Sequence, residues 1–466
     1  MVGYGADAPA GPYSWPLVGI LPRVLVNSDR ILELNQEAHL QYGDVFSWRL
    51  VHLRGMSIAD PECLKWVLQT NFRNYEKGPH MAHLLGPLLG RGIFVANGDT
   101  WKHQRTTAKP LFRTESIKDM LPVFVSGAET VIATLERVAD SEPIDLQNLF
   151  MRYTLDSIGL VGFGHDIGSL HRPVEFSYLF DKAQAEIDKR ADNPLREYVL
   201  GWGGGLEADI ARMDQFVLGI IRRRRAEPPD ELRQKSDLLS RYLCLRDPQG
   251  LPFSDAYLRD VVMNFLIAGR DTTAILLTWA FYLLALHPEA ADRAIGEIDE
   301  RVGGRAPTWD DLSQLPYLRA VLDETLRLYP PVPSNFKMAV QDDVLPNGVR
   351  VKAGTYIGFN AYTIHRSRQW WGDDADQFVP ERWLDRERVR AMHPFQYFPF
   401  LAGPRVCLGM HMALLEAKLL AVMVLQRFRF RLAPGHVVRP RKAITMPAAH
   451  GLYAHVLARS AVAPQS

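Results

Sequence analysis

The longest run of helical periodicity in the chain begins near residue 254. Ser254 is a suitable N-cap for it, and His287-Pro288 marks its end, because proline cannot continue a helix. Globular helices usually contain about 8 to 20 residues, so a helix of this length is expected to cross the whole molecule. Apolar residues also recur at helical spacing over most of 99–330, which is therefore predicted to be almost entirely helical.

Strand-type alternation is confined to short stretches. The segments VFSWRL (45–50) and MSIAD (56–60) predict a hairpin, and FRFRL (428–432) predicts a strand. Residues 335–360 are rich in strand signals, and Asn347-Gly348 is typical of a tight hairpin turn. The fold class is therefore predicted to be mainly α with a smaller β-rich region.

The start of the chain differs from the rest. Four prolines occur with several glycines in residues 9–22, which predicts an extended lead-in over 1–22. No break in composition divides the remainder of the chain, so residues 1–466 are interpreted as one domain. The segment GWGGG (201–205) is the best candidate for a flexible loop. With the leucine after it, this segment lacks the third glycine of a dinucleotide-binding motif, so no fused reductase is predicted.

Charge, leader and cysteine content argue against a nucleic-acid-binding, a secreted or a disulfide-stabilised protein. The 466 residues carry a net charge of +1, which gives no field favouring nucleic acid. No basic and apolar leader and no apolar stretch of about 20 residues is found, so no secretory signal or transmembrane anchor is predicted. Three cysteines, Cys63, Cys244 and Cys407, are too few for a disulfide framework. We therefore expect a soluble, cytoplasmic protein.

One cysteine lies in an unusual context. Residues 398–409 read FPFLAGPRVCLG, so Gly403 and Pro404 predict a tight loop before Cys407 and a helix begins after Gly409. A thiolate is favoured at a helix N-terminus. No cysteine or histidine pair suggests zinc, and no nearby partner suggests an acyl-transfer nucleophile. A single soft thiolate suits an axial bond to haem iron, whereas Cys63 and Cys244 are predicted to be small buried hydrophobes.

The loop resembles the signature of the haem-thiolate monooxygenases, the cytochrome P450 superfamily. The match is carried by Phe400, Gly403, Arg405, Cys407 and Gly409. The resemblance implies a helical bundle around haem b, crossed by one long helix. It also implies that Cys407 is the axial ligand of the haem iron and that the rest of the signature surrounds the cofactor.

A second motif, Glu324-Thr-Leu-Arg327, places a carboxylate and a guanidinium on one helical face. On its own it is typical of an exposed helical ion pair, which contributes a few tenths of a kcal/mol, roughly. The resemblance implies instead that the pair is buried and joined by Arg382 of the FVPERW segment. These three residues are assigned a structural role behind the haem.

The middle of the long helix reads Ala268-Gly269-Arg270-Asp271-Thr272-Thr273, which is poor helix material. A threonine hydroxyl that bonds back to a carbonyl can bend such a helix. The stretch resembles the oxygen-binding motif of the family. The resemblance implies that Thr272 donates a hydrogen bond to dioxygen, that Asp271 relays protons, and that Gly269 borders the cofactor.

Four further residues are candidates for the haem propionates. Trp101 and Arg105 resemble the W-x-x-x-R motif of the family and lie four residues apart on one helical face. Arg405 and, with weaker support, Lys337 are expected to pair with the propionates on the same grounds. The four-arginine run 222–225 is interpreted as a solvated helix end, with an electron-transfer partner's acidic patch as the alternative.

The resemblance extends over almost the whole chain, from about Pro12 to Leu452, and is strongest to the fatty-acid omega-hydroxylase branch. It implies hydroxylation of an apolar chain with dioxygen and with electrons from a separate donor, such as a ferredoxin and its reductase. A tailoring oxidase of terpenoid or polyketide biosynthesis remains the alternative. A peroxygenase and a non-catalytic haem or lipid carrier are the further alternatives. Substrate-lining zones are expected at 79–97, 173–210, 265–268, 332–336 and 446–449.

Overall fold

The computed structural model of the chain describes residues 8–193, 195, 205–247 and 249–459. Its helices, numbered here in chain order, are α1 Leu21–Val26, α2 Ile31–Tyr42, α3 Pro61–Lys65, α4 Gly78–Leu89, α5 Gly98–Ala108, α6 Thr114–Val138, α7 Leu146–Phe163, α8 Glu175–Asp192, α9 Leu206–Arg225, α10 Pro229–Gln234, α11 Leu238–Cys244, α12 Asp255–Leu286, α13 Pro288–Arg301, α14 Trp309–Ser313, α15 Pro316–Leu328, α16 Ala361–Ile364, α17 Arg368–Trp371, α18 Arg386–Ala391 and α19 Met410–Leu425. The strands are β1 Val45–Leu50, β2 Leu53–Ile58, β3 Tyr75–Glu76, β4 Ile144–Asp145, β5 Ser334–Ala339, β6 Asp343–Val344, β7 Arg350–Val351, β8 Tyr356–Asn360, β9 Phe428–Leu432 and β10 Tyr453–Ala458. The prediction of a mainly helical fold with a smaller β region is confirmed.

Helix α12 is the predicted long element, with 32 residues. The Ser254 hydroxyl accepts a hydrogen bond from the Tyr257 backbone N–H at 3.2 Å, as expected of the N-cap, and the helix stops at His287. By length and composition α12 is the one helix in the described ranges that could cross a membrane. However, 89% of its most apolar window is buried inside the protein, as in a helix that forms the centre of a core.

Three sheets account for the strand signals. The largest has the order β1-β2-β8-β5-β3, and β10 pairs with both β4 and β9 in a second sheet. The predicted first hairpin is confirmed, since Val45 pairs with Ile58 and Leu50 with Leu53 in antiparallel register. Strands β6 and β7 form the hairpin expected around Asn347-Gly348, and Gly348 has a φ of +85°, which favours glycine.

Two sequence expectations concern the chain's irregular parts. No named strand or helix precedes Leu21 in the described residues, but α1 begins there, so the end of the predicted 1–22 lead-in is helical. The helix starts early because Pro22 lies in its first turn, where proline's missing N–H costs nothing. The GWGGG segment (201–205) lies outside the described residues except for Gly205, which precedes α9.

The packing of α12 against α7 explains the glycine in the middle of α12. A Cβ atom at Gly269 would lie 2.6 Å from Cγ1 of Ile158 on α7, well inside contact distance. Close approach of the two helices therefore requires glycine at this position. The proposed role of Gly269 at the cofactor remains a prediction, and helix packing already accounts for the residue.

Candidate active site

The loop before Cys407 is held by close backbone packing. Gly403 has a φ of +66°, and a Cβ there would lie 2.2 Å from the Leu68 carbonyl oxygen, so only glycine fits. The Cys407 backbone N–H donates to the Phe400 carbonyl at 2.8 Å, which closes the turn. Gly409 differs, because a Cβ there would make only ordinary contacts, at 3.5 Å or more, with protein atoms. The protein alone does not explain the glycine at 409.

The Cys407 side chain is solvent-accessible, yet it lies deep among protein atoms. Burial raises the pKa of its thiol, although the Gly409 N–H and Arg105 act in the opposite direction. The thiolate expected from the helix N-terminus alone is therefore not favoured, because desolvation outweighs the helix. Because the Cys407 sulfur is accessible and yet surrounded by protein atoms, it lies in a recess of the protein. A metal ion bound to it there would deprotonate the thiol.

Other potential metal ligands are scarce. In the ranges covered by the structure, no group of three or more His, Cys, Asp or Glu side chains could hold a metal ion. A single protein thiolate suits a metal that is already held by the nitrogens of a porphyrin, as the iron of haem is. Cys63 is buried, as predicted, but Cys244 is exposed at the end of α11, so that prediction was wrong. Helical periodicity did not reveal that α11 ends at the surface.

Helix α12 has one narrow accessible face in its otherwise buried middle. Between Asp260 and Tyr282 every residue is buried except Ala268 and Thr272. They lie four positions apart and so share one face of the helix. The Thr272 hydroxyl donates to the Ala268 carbonyl at 2.7 Å, the back-bond anticipated from the sequence.

Asp271 points in a different direction from Thr272. Its carboxylate accepts hydrogen bonds at 2.9 Å from Gln184 of α8 and from Arg270, and Arg270 also binds Asp181 at 2.7 Å. Burial raises the pKa of Asp271, against the opposing effect of Arg270. Asp181 is 57% exposed, so this network leads from a buried carboxyl to the surface. No direct contact joins Asp271 to the Thr272 hydroxyl.

The predicted propionate residues come together. Arg405 lies over the Trp101 ring at 4.6 Å from its centroid, and Arg105 approaches the same ring at 5.8 Å. Lys337 lies 5.4 Å from the Phe72 centroid, and Phe72 packs 5.6 Å from Trp101. Four residues from three distant parts of the sequence thus form one cluster.

Within this cluster the basic side chains repel one another, while Glu76 acts on Lys337 and Arg405 as an opposing negative charge. Lys337 is 1% exposed, and its Nζ has no hydrogen-bond partner among the described residues. Burial, together with Lys77 and Arg405, lowers the pKa of Lys337 to about 5. Burial and Arg405 lower the pKa of Lys77 to about 8. Lys77 was not identified from the sequence, where a lone lysine after FRNYE gives no signal.

The Glu324 network is buried, as the resemblance implied. Arg327 makes two bonds to the Glu324 carboxylate at 2.8 Å, and Arg382 donates to it at 2.9 Å. All three side chains are inaccessible to solvent. Burial alone would raise the pKa of Glu324, but the two arginines hold it below its ordinary value. The exposed ion pair that the motif alone would indicate is therefore excluded.

These features fit a large anionic cofactor with a central metal. Arg105 lies near both the thiol and the cationic cluster, since it acts on the pKa of Cys407 and contacts Trp101. The family model for cytochrome P450 matches residues 9–451. The chain belongs to the cytochrome P450 family. Haem b is the cofactor, and the protein is an oxidoreductase of the monooxygenase type.

Several cytochromes P450 are similar to this chain over nearly their whole length. Cytochrome P450 704B1 of Arabidopsis thaliana is 34% identical over 98% of this chain and 96% of its own. Alkane hydroxylase MAH1 of the same plant is 32% identical over 94% and 92%. The crystal structure of the cytochrome P450DA haem domain superposes with a TM-score of 0.84 at 26% identity, covering 99% of both chains.

A buried acid near the P450 core was missed by sequence reasoning. Glu416 on α19 is 1% exposed, and its Oε1 has no hydrogen-bond partner among the described residues, although Ser157 and Thr273 of the two neighbouring helices act on its pKa. Burial raises the pKa of Glu416 to about 8. Its sequence context, ALLEAKLL, resembles an ordinary helix surface, and only the packing of three helices shows that the carboxyl is inside.

We expect Glu416→Gln to remove a pH dependence of stability. The folded pKa lies above the unfolded one, so folding retains a proton between about pH 4.5 and 8, and stability falls as pH rises through this range by about 1.4 kcal/mol per pH unit. Urea unfolding of the wild type and of Glu416→Gln at pH 5, 6, 7 and 8 measures this difference. A constant difference between the two proteins across these pH values contradicts the prediction.

Proposed function

We propose that this P450 hydroxylates an unactivated C–H bond of an apolar chain, with a fatty acid as the favoured substrate. The observation that carries the proposal is the narrow face of α12, where Ala268 and Thr272 alone are accessible within the buried stretch 261–281. This face is small and mostly apolar, with one hydroxyl. It can accommodate a hydrocarbon next to a single proton-handling group.

The proposed residue roles depend on position. Cys407 binds the haem iron, and haem supplies the redox centre that activates dioxygen. Trp101, Arg105, Lys337 and Arg405 hold the propionates through charge-assisted bonds, for which the buried Nζ of Lys337 has its hydrogen bonds unused. Thr272 orients a proton at the α12 face. Asp271 is the proposed proton relay, and Arg270, which stays protonated, holds its carboxylate and links it to Asp181 at the surface.

The substrate class is supported by the relatives and by the lining of the site. One relative is named an alkane hydroxylase, and alkanes share the unactivated C–H bonds of a fatty-acid chain. Of the proposed lining zones, 265–268 lies on α12 and includes Ala268, which is part of the accessible face. We further propose that a separate ferredoxin-type donor supplies electrons and that the enzyme works in the cytoplasm, with 1–466 as one catalytic domain.

Optical titration of the ferric protein tests the substrate class. Fatty acids of increasing chain length and terpenoid acids of similar size are added while the Soret band is monitored. A saturable shift with fatty acids, strongest at one chain length, is the expected result. A shift with terpenoid acids alone would overturn the fatty-acid assignment in favour of a tailoring oxidase, and the family assignment would stand.

Thr272→Ala is expected to separate electron consumption from product formation. Without the hydroxyl, the proton at the α12 face is not held in place, so product formed per NAD(P)H falls at least about tenfold, and released peroxide rises. Thr278→Ala is the matched control, because its hydroxyl makes the same back-bond, to Ala274 at 2.7 Å, in the buried part of α12. Equal product yields in the two variants would remove Thr272 from the mechanism.

A further inference from the structure

Residues 66–77 contact both the cysteine loop (398–409) and the cationic cluster around Trp101 and Lys337. The segment begins with an unusual π-helical turn, Trp66–Thr70, and continues through a 3₁₀ turn at Phe72–Asn74 into β3. Leu68 in the π turn presents its carbonyl oxygen to Gly403, so the turn packs on the cysteine loop. π turns occur often at functional sites. The thiolate side of the site therefore rests on this segment.

The same segment also contributes to the cationic cluster. Phe72 lies between Lys337 and Trp101, at 5.4 Å from the Lys337 Nζ and 5.6 Å from the Trp101 ring. Lys77, at the end of the segment, lowers the pKa of Lys337 and so lies near it. A displacement of residues 66–77 would thus move the cationic cluster and the cysteine loop together.

One remote carboxylate holds this segment. Oδ2 of Asp343 accepts hydrogen bonds from Trp66 Nε1 at 2.9 Å, Asn71 Nδ2 at 3.0 Å and the Tyr75 hydroxyl at 2.7 Å. Its Oδ1 accepts the Val344 backbone N–H at 2.8 Å. Burial alone would raise the pKa of Asp343, but these donors lower it below its ordinary value. The three side-chain donors are spread from the beginning to near the end of the segment.

We propose that Asp343 is a positioning residue for the haem, fixing residues 66–77 so that the cysteine loop and the cationic cluster keep their spacing. Asp343 itself contacts neither the thiol nor the cluster; it acts through the segment. Three donors converging on one oxygen fix the segment at three points, which a shorter side chain cannot do and a neutral one does more weakly. The inference concerns retention of the cofactor and does not depend on the substrate.

Asp343→Ala and Asp343→Asn test the proposal. Transfer of haem from the ferric protein to excess apomyoglobin measures haem loss directly, without turnover. We expect Asp343→Ala to lose haem at least about tenfold faster than the wild type, the scale seen when groups supporting a metal ligand are removed. Asparagine keeps an accepting oxygen without the charge, so Asp343→Asn is expected to fall between the two.

Asp145→Ala is the matched control. The Asp145 carboxylate also gathers three donors, the backbone N–H groups of Gln147, Asn148 and Leu452 at 2.9–3.3 Å, but they belong to α7 and the chain just before β10. Its loss should lower the free energy of unfolding without specifically accelerating haem transfer. Unfolding of all variants by urea allows haem loss to be compared at matched stability.

The outcomes are distinct. Faster haem loss in Asp343→Ala than in Asp145→Ala at matched stability supports the proposal. Equal rates overturn it and leave Asp343 as a general stabiliser. If Asp343→Ala does not fold, Tyr75→Phe replaces it, because this change removes one donor at 2.7 Å and nothing else. Wild-type haem retention in both Tyr75→Phe and Asp343→Asn would then overturn the proposal.

Discussion

We expect Cys407→Ala to abolish oxygenation while the chain still folds. The thiol is the candidate iron ligand at the site, and alanine removes it without adding bulk. Product formation with the full electron-transfer system should fall to background, and the reduced, CO-treated protein should lose the absorption maximum that depends on thiolate ligation. Both are measured on purified protein at matched haem content.

The control for this change is Cys244→Ala, because Cys244 is a free cysteine exposed at the end of α11. It should retain full activity and the wild-type spectrum. Turnover by Cys407→Ala at the wild-type rate would contradict the assignment of the iron ligand and, with it, the proposed monooxygenase chemistry.

Arg327→Ala is expected to have the largest effect on stability. The change leaves Arg382 as the one charged partner of the buried Glu324 carboxylate among the described residues, and it frees carbonyl groups of His365, Ala375 and Gln377 that Arg327 now binds at 2.5–2.8 Å. Removing one partner of a buried ion pair costs about 3–5 kcal/mol. This is a large part of the roughly 5–15 kcal/mol that holds a typical domain folded. Little soluble haem protein should be recovered, and its urea midpoint should be much lower.

Arg305→Ala is a matched comparison. Arg305 also makes a two-bond contact with a carboxylate, that of Asp311 at 2.6 and 2.8 Å, but its side chain is 53% exposed. Exposed pairs contribute about 0–1 kcal/mol, so this variant should resemble the wild type. Similar losses in both variants would show that burial of the Glu324 network is not what makes it important.

Sequence patterns predicted the fold well where a feature is local. The N-cap at Ser254, the first hairpin and the turn at Asn347-Gly348 depend on neighbouring residues, and each is confirmed. The clustering of Trp101, Arg105, Arg405 and Lys337 could not be derived from local pattern, and the family resemblance supplied it. That these side chains lie together is shown by the structure, while their bonds to the propionates stay a prediction.

The misses have a common physical cause, since burial depends on contacts between distant segments. Arg224, within the run interpreted as a solvated helix end, is 6% exposed and donates to the Phe163 and Gly164 carbonyls at 2.8 Å. Glu416 and Lys77 were likewise overlooked because nothing beside them in the chain reveals their surroundings. Local sequence therefore predicts elements better than it predicts buried charge.

Helix α8 contributes two of the groups that lead to Asp271, since Gln184 binds its carboxylate and Asp181 holds Arg270. A displacement that lifts α8 from α12 must break both contacts in one movement. The proposed proton relay at Asp271 would then lose the groups that orient its carboxylate. Opening of the molecule at α8 would in this way also stop the proposed proton delivery, and an open enzyme without substrate would consume little NAD(P)H.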